Sequence, residues 1–584
     1  MRVVATAGHV DHGKSTLVQA LTGTDPDRWP EEKARGLTID LGFAATALPS
    51  GQEIAFVDVP GHGRFVRNML AGVGSVDACL FVVAATEGWK EQSEEHLRIL
   101  QLLGVSSGMV ALTKVGLVER EWVELVTLEV EERVAGTFLA GTEIIPVDVP
   151  AGLGVDELRA GLDRLVGRTP AARDVGRPRL WVDRSFAMRG AGTVVTGTLT
   201  GGAVAVDDEV LLLPGGQACR VRGLQSHHST LEQAAPGRRL AVNLNGVSHH
   251  DVRRGHVVVR PGQWHLTRRF DASLSVLESV EHPVERRGAY TVHVGSDEIP
   301  VRIRILGPSR IEPGGQAAAR YWVQGRAGVA LMPGDRYVLR EAGRWETVGG
   351  GEVLDVDPVL PASRAAPSHS VERVVRERGW VDAAFLEVIT GQRIEPTVGR
   401  WVVDAAALAA MQADLQARCE GAGTAGLDPA ALDEHERALL RSGVPGVPGV
   451  EMSEGRAVAA ALVDRGLSED ARRVLGELEA GKWAPPGLPL SDRGALRELE
   501  RRGLAVDAGQ AWFATSAVEA AVAVLAQLLE EHEEGFTVSQ ARDALGTSRK
   551  HVLPLLSHLD AAAVTRRRGD LRVAGPRLPG MDRP

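Results

Sequence analysis

The chain has 584 residues, 44% hydrophobic and 24% charged, values that exclude disorder, and it is too long for a single core. A net charge of −10 excludes whole-chain electrostatic binding to nucleic acid, so any such contact must come from local basic patches. Three distant cysteines, Cys79, Cys219 and Cys419, support neither a disulfide framework nor a metal site, and no apolar run suits a signal peptide or a bilayer span. A cytoplasmic, monomeric protein with no membrane partner is the expectation.

Residues 1–170 alternate β-rich runs at 3–7, 54–58, 79–85, 109–113 and 144–147 with amphipathic patterns at 15–22, 64–70, 93–103, 120–134 and 155–166. That alternation predicts an α/β domain with a mostly parallel, doubly wound sheet. After the linker T-P-A-A-R-D-V-G-R-P, short alternating strands punctuated by glycine turns predict two antiparallel β-barrels, at 178–262 and 264–360. Beyond P-A-S-R-A-A-P-S, residues 366–584 repeat a pair of helices closing on a short β pair, which suggests tandem winged-helix modules rather than a plain helical tail.

Gly8-His9-Val10-Asp11-His12-Gly13-Lys14-Ser15 follows the first predicted strand and opens the first predicted helix, the context a G-x-x-x-x-G-K-S P-loop requires. Its glycines let the backbone curl, so that successive N–H groups as far as Thr16 face phosphate oxygens. Lys14 then reaches the β- and γ-phosphates, and Ser15 offers a hydroxyl to Mg²⁺. Asp58-Val59-Pro60-Gly61 ends the second apolar run; the Asp holds the metal through water, and the Gly61 N–H senses a γ-phosphate. His62 stands where it can orient an attacking water, which makes it the candidate catalytic residue; a structural histidine is the alternative. Between these motifs, R-G-L-T-I-D-L-G-F offers Thr38 as a second hydroxyl ligand for Mg²⁺, in a loop able to order around a γ-phosphate. Only six lysines occur, and two of them, Lys14 and Lys114, fall in nucleotide motifs where a guanidinium is no substitute.

Together G-H-V-D-H-G-K-S-T, R-G-L-T-I-D-L-G-F and D-V-P-G-H-G-R-F-V-R-N-M-L-A-G resemble the translational GTPases, and the last two are nearest in wording to the selenocysteine-specific elongation factors of bacteria. F-A-M-R-G-A-G-T-V-V-T-G-T-L resembles the second domain of the elongation factor Tu group. T-S-R-K-H-V-L-P-L-L-S-H-L-D-A-A-A-V-T-R-R-R-G-D-L-R-V resembles the last winged helix of the selenocysteine factors. The likeness covers nearly the whole chain and is thinnest from about 365 to 520. It implies GTP and Mg²⁺, hydrolysis stimulated by the ribosome, and delivery of selenocysteyl-tRNA to a recoded UGA codon beside an mRNA hairpin. A general or initiator tRNA carrier is one competing reading. An RNA-binding adaptor with a degenerate, non-hydrolysing nucleotide domain is another.

In this family a fourth motif, [N/T]-K-x-D, reads guanine through its Asp. Thr113 and Lys114 match it, but Gly116 stands where the carboxylate belongs. Each forfeited hydrogen bond to a charged acceptor costs roughly 1.5–3 kcal/mol of guanine selectivity, while the phosphate contacts survive. The family's Ser-Ala before the last helix is replaced by Asp148-Val149, so Asp148 is a candidate for the missing acceptor; a solvated loop or capping residue is the alternative.

The resemblance further implies an aminoacyl pocket with Asp183 and Arg184 from V-D-R-S-F and Arg239 from G-R-R-L-A-V-N-L. In it Arg239 would face a selenolate and Asp183 the α-amino group. Arg549, Lys550, Arg566, Arg567, Arg568 and Arg572 concentrate positive charge in the last predicted winged helix, suited to the backbone and loop bases of an RNA hairpin.

Overall fold

A strand covered on both faces of a parallel sheet needs an unbroken apolar run, and residues 78–84 supply one. In the computed structural model every residue of that strand is buried. The structure describes residues 2–578 except 28–31, 33–37, 63–64, 75, 191, 228, 444, 454, 464–466 and 533. The first domain's strands are β1 (Arg2–Ala7), β2 (Gly42–Ala47), β3 (Glu53–Asp58), β4 (Ala78–Ala84), β5 (Gly108–Thr113) and β6 (Ile144–Pro146). They lie in the order β2-β3-β1-β4-β5-β6, with only β2 antiparallel to its neighbour.

Helices α1 (Lys14–Thr22) and α5 (Val155–Arg168) seal one face through Leu17, Leu21, Leu158 and Leu162. On the other face, α2 (Val66–Val73), α3 (Glu91–Leu102) and α4 (Arg120–Val134) pack Met69, Leu70, Leu97, Leu100 and Val130. The chain leaves β1 with one neighbour to either side, so the loop after β1 opens at the point where strand order reverses, the usual ligand crevice of such sheets. All five predicted strands are present, each end within one residue of its expected place. Strand β2 was not expected: its G-F-A-A-T-A has little β-branched content, and it pairs only with β3 at the sheet edge. Arg64 of the second predicted helix and residues 35–37 of the R-G-L-T stretch lie outside the described residues.

The first barrel closes six antiparallel strands, Arg179–Met188, Gly192–Thr200, Arg238–Asn245, Gln217–Ser226, Glu209–Leu213 and Val257–Val259 in ring order. Its register slips between Val182 and Arg184, a bulge that re-aims Asp183. A second closed barrel runs from Arg269–Val276 to Glu346–Asp355, with Phe270 stacked on Tyr321 and Tyr337 edge-on to Tyr321 in its interior. Helix Val371–Arg378 and the hairpin of Trp380–Asp382 with Trp401–Val403 bury Val371, Val374, Val381 and Val402 in the same core as that barrel.

The chain divides into two compact units, 1–411 with 441–445, and 412–440 with 446–584. The second repeats a helix pair and hairpin, as in Glu469–Gly481, Arg493–Arg501 and the strands Ala505–Asp507 and Trp512–Ala514. It ends in helices Thr515–Glu531, Val538–Ala544 and Arg549–Ala561 on a three-stranded sheet, the winged-helix arrangement. Among the described residues no helix is long and apolar enough to cross a membrane. All three cysteines are buried free thiols.

Candidate nucleotide-binding site

Lys14 opens α1 yet is only 6% exposed, and its ammonium donates to the carbonyls of Gly8 (3.0 Å) and His9 (2.8 Å). Burial lowers its pKa to about 8, with Asp58 and Asp11 opposing the shift. An ammonium sealed among backbone carbonyls, without a direct carboxylate partner among the described residues, is electrostatically prepared for an anion. The loop around it is braced by two neutral imidazoles. His96 Nδ1 accepts from Gly8 N at 3.1 Å, and the His12 ring meets Val82 O at 3.2 Å. Burial lowers both histidines to about 3, so neither competes with Lys14 for an anion.

Opposite the loop, four oxygen side chains converge. Ser15 Oγ donates to Asp58 Oδ2 at 2.7 Å and lies 2.8 Å from Thr38 Oγ1, which donates to Asp27 Oδ1 at 2.9 Å. Thr6 anchors Asp58 at 2.7 Å and accepts from Val59 N, fixing the start of the Pro60-Gly61 turn. Burial raises the Asp58 carboxyl above its ordinary value, while hydrogen bonds from Ser15 and Thr6 pull it back. Two hydroxyls and two carboxylates, with no nitrogen or sulfur donor, form a hard oxygen set that fits Mg²⁺. Ser15, Thr38 and Asp58 thus come together as expected. Asp27 joins them without any motif to announce it.

His62 lies half-buried, one residue past Gly61, with its ring 5.9 Å from Phe65. Segment 38–43, which carries Thr38, is held from several sides. Glu32 accepts from the N–H groups of Ile39 and Asp40 at 3.0 and 3.1 Å, and Asn68 donates to Ile39 O at 2.7 Å. From the first barrel, Arg254 bonds Asn68 (2.8 Å) and Asp40 (3.0 Å), and Arg184 donates to Leu41 O. None of Glu32, His96 or Arg254 sits in a recognisable spacing; the partners of His96 and Arg254 are far away in sequence, and those of Glu32 follow it in the same loop.

A cavity of about 450 Å³ opens between this domain and the first barrel, lined by Phe43, Thr196, Gln225, Arg239 and Ala241. Arg239 lies across the Phe43 ring at 3.6 Å. It also pairs bidentately with Asp183, at 2.5 and 3.0 Å, and Asp183 further accepts from Thr196. Asp183 and Arg239 are therefore brought together, but as partners of one another. Arg184 lies beside them, its guanidinium 4.8 Å from the centre of the same Phe43 ring and bonded to Leu41 O and Asp40.

In the last module Arg549 and Lys550 are exposed in the first turn of their helix, and Arg566, Arg567 and Arg568 are exposed along strand Thr565–Arg568. Arg572 departs from the expected basic face. It is buried, with its Nε 3.0 Å from Asp560 Oδ2, so it ties strand to helix and presents nothing to a ligand.

Residues 1–171 match the family described as the elongation factor Tu GTP binding domain, 192–259 elongation factor Tu domain 2, and 527–574 the elongation factor SelB winged helix. The selenocysteine-specific elongation factor of Desulfomicrobium baculatum is 40% identical over 368 residues, 63% of this chain and 57% of that protein. Its Escherichia coli (strain K12) counterpart is 36% identical over 61% of this chain and 56% of its own length. The chain thus spans under three-fifths of each of these two relatives. Elongation factor Tu 2 of Streptomyces avermitilis is 34% identical over 61% of this chain and 96% of its own length. The crystal structure of a bacterial selenocysteine-specific elongation factor, EF-Sec, superposes with a TM-score of 0.71 at 26% identity, covering 98% of this chain and 99% of that one. The chain belongs to the elongation factor family of GTP-binding proteins that includes elongation factor Tu and the selenocysteine-specific elongation factors.

Proposed function

We propose that this chain is a GTPase that delivers selenocysteyl-tRNA to the ribosome at a recoded UGA codon, localised there by an mRNA hairpin. The observation that carries this reading is the presence, in one chain, of the Lys14–Ser15–Thr38–Asp58 cluster and a C-terminal module matching the SelB winged helix. The intact cluster also favours triphosphate binding, which the adaptor reading makes weak.

Lys14 takes the terminal phosphates, and the N–H groups of the loop and the start of α1 meet the rest. Ser15, Thr38 and Asp58 would hold Mg²⁺, which when bound offsets phosphate charge. Thr38 and the Gly61 N–H register whether a γ-phosphate is present, and His62 orients the attacking water. His62→Ala is expected to leave GTP affinity within a few-fold and to slow ribosome-stimulated hydrolysis by about 100-fold or more, measured as phosphate release in single turnover. Unchanged hydrolysis would remove His62 from the mechanism.

Arg239 is the group that distinguishes a selenolate from a serine hydroxyl. Its contacts to Asp183 and Thr196 commit three of its five N–H groups and its face lies on the Phe43 ring, so a selenolate in the cavity would meet its remaining N–H edge. Arg239→Ala should abolish discrimination between selenocysteyl- and seryl-tRNA in a hydrolysis-protection assay. Retained discrimination would dismiss that role.

The exposed arginines of strand Thr565–Arg568, with Arg549 and Lys550, meet the hairpin backbone. Two cations at a helix N-terminus oppose the helix dipole, a cost that phosphate contacts offset. The decisive experiment is hairpin-dependent UGA readthrough with the purified protein, selenocysteyl-tRNA and ribosomes. Readthrough that ignores deletion of the hairpin would favour a general tRNA carrier.

A further inference from the structure

Position 116 lacks a side chain, and the space a side chain would use is already taken. A Cβ built on Gly116 would lie 1.8 Å from Oδ2 of Asp148 and 2.9 Å from its Cγ. Asp148 is 8% exposed, and its backbone is fixed by a reciprocal pair of hydrogen bonds with Leu153, at 2.9 and 3.0 Å. It caps no helix: α5 starts at Val155 behind Gly154, without a side-chain cap. Its carboxylate makes no hydrogen bond to any described residue. A near-buried acceptor without a donor is costly and calls for an external one.

Gly116 and Asp148 follow the carboxyl ends of the adjacent parallel strands β5 and β6, the edge of the sheet where ligands bind. The loop after β5 is tied to the phosphate cradle, since Thr113 Oγ1 donates to His12 O at 2.7 Å. A nucleotide held by its phosphates at Lys14 carries its base toward these two loops.

We propose that Asp148 selects guanine, accepting from the base's ring N–H and exocyclic amine in the space that Gly116 leaves open. This rests on reading the chain as a GTP-driven factor. A carboxylate accepts and never donates, and among the common purines guanine alone offers two adjacent N–H donors on one edge. Adenine puts a C–H and an unprotonated nitrogen there, and xanthine replaces the amine with a carbonyl. Glycine at 116 is then the counterpart of Asp148, because any side chain there would displace the carboxylate.

The test measures GTP, ATP and XTP affinities of the full-length protein with Mg²⁺, by competition against a fluorescent guanosine diphosphate. Wild type should prefer GTP to both others by about 1000-fold. Asp148→Asn, which turns one acceptor into a donor, should invert the GTP:XTP preference. Gly116→Asp alone should weaken GTP binding, because two carboxylates claim one space. Gly116→Asp combined with Asp148→Ser should restore guanine preference to within about tenfold of wild type. An Asp148→Asn protein with the wild-type GTP:XTP ratio would overturn the assignment. Should that variant bind no triphosphate, Asp148→Ser decides: a GTP:ATP preference that falls by about 100-fold supports Asp148, and an unchanged preference overturns it. A wild type that binds none of the three nucleotides would instead overturn the GTPase reading, and this inference with it.

Discussion

Gly61→Ala is expected to slow GTP hydrolysis by about 100-fold while leaving the protein folded. The reason is space rather than backbone freedom. A Cβ at this position would stand 2.5 Å from Lys14 Nζ, 2.6 Å from Val10 N and 2.8 Å from Val10 Cα. The lysine end can shift, but the backbone of residues 8–13 cannot, because His96 ties it to α3 while Val82 and Thr113 tie it to the sheet. The Pro60-Gly61 turn must then back away from the phosphate loop by several tenths of an ångström or more. That carries the Gly61 N–H away from a γ-phosphate and moves His62 with it. Diphosphate affinity should change little, because the phosphate loop stays where it is and the lysine end needs only a small shift. Single-turnover phosphate release beside a melting curve checks this: a variant that hydrolyses at the wild-type rate would refute the geometry.

The second large effect concerns stability. In the second barrel Arg320 and Asp271 are 2% and 1% exposed and form two hydrogen bonds of 2.6 and 2.7 Å, and Arg320 also caps Leu360 O at 2.7 Å. Asp271→Ala leaves a guanidinium buried without its carboxylate. The expected loss is about 3–5 kcal/mol, read as a shift of the denaturant midpoint of the unit that contains the barrel. Replacing both partners at once, Asp271→Leu with Arg320→Met, should recover most of that loss, because no charge is then stranded. A single variant within about 1 kcal/mol of wild type would show that water reaches the pair.

How much of this could be read beforehand depends on whether the information is contiguous in the chain. The P-loop was legible because eight successive residues make it, at a strand end and a helix start. Strands β1, β3, β4 and β5 were legible because burial on both faces demands apolar runs. Strand β2 was not, since an edge strand of glycine and alanine draws its definition from its partner β3. Arg254 was missed for the same kind of reason, since it acts on residues that folding brings near, while Asp27 and Glu32 act on residues 38–40 in a spacing that no motif records. The arginine run misled at Arg572, because charge counted along a sequence says nothing about which strand face is inward. The contact between Asp148 and position 116 joins loops thirty-two residues apart, and no spacing rule encodes it.

The arginines of the first barrel that grip segment 38–43 have a thermodynamic consequence. Arg184 and Arg254 seize the same short stretch whose Thr38 leans on Ser15. Whatever ligand favours that stretch in its gripped shape must, by reciprocity, be favoured in turn by docking of the barrel. A ligand that presses the barrel home and a γ-phosphate that steadies Thr38 would then raise each other's affinity by one common factor, measurable from either end.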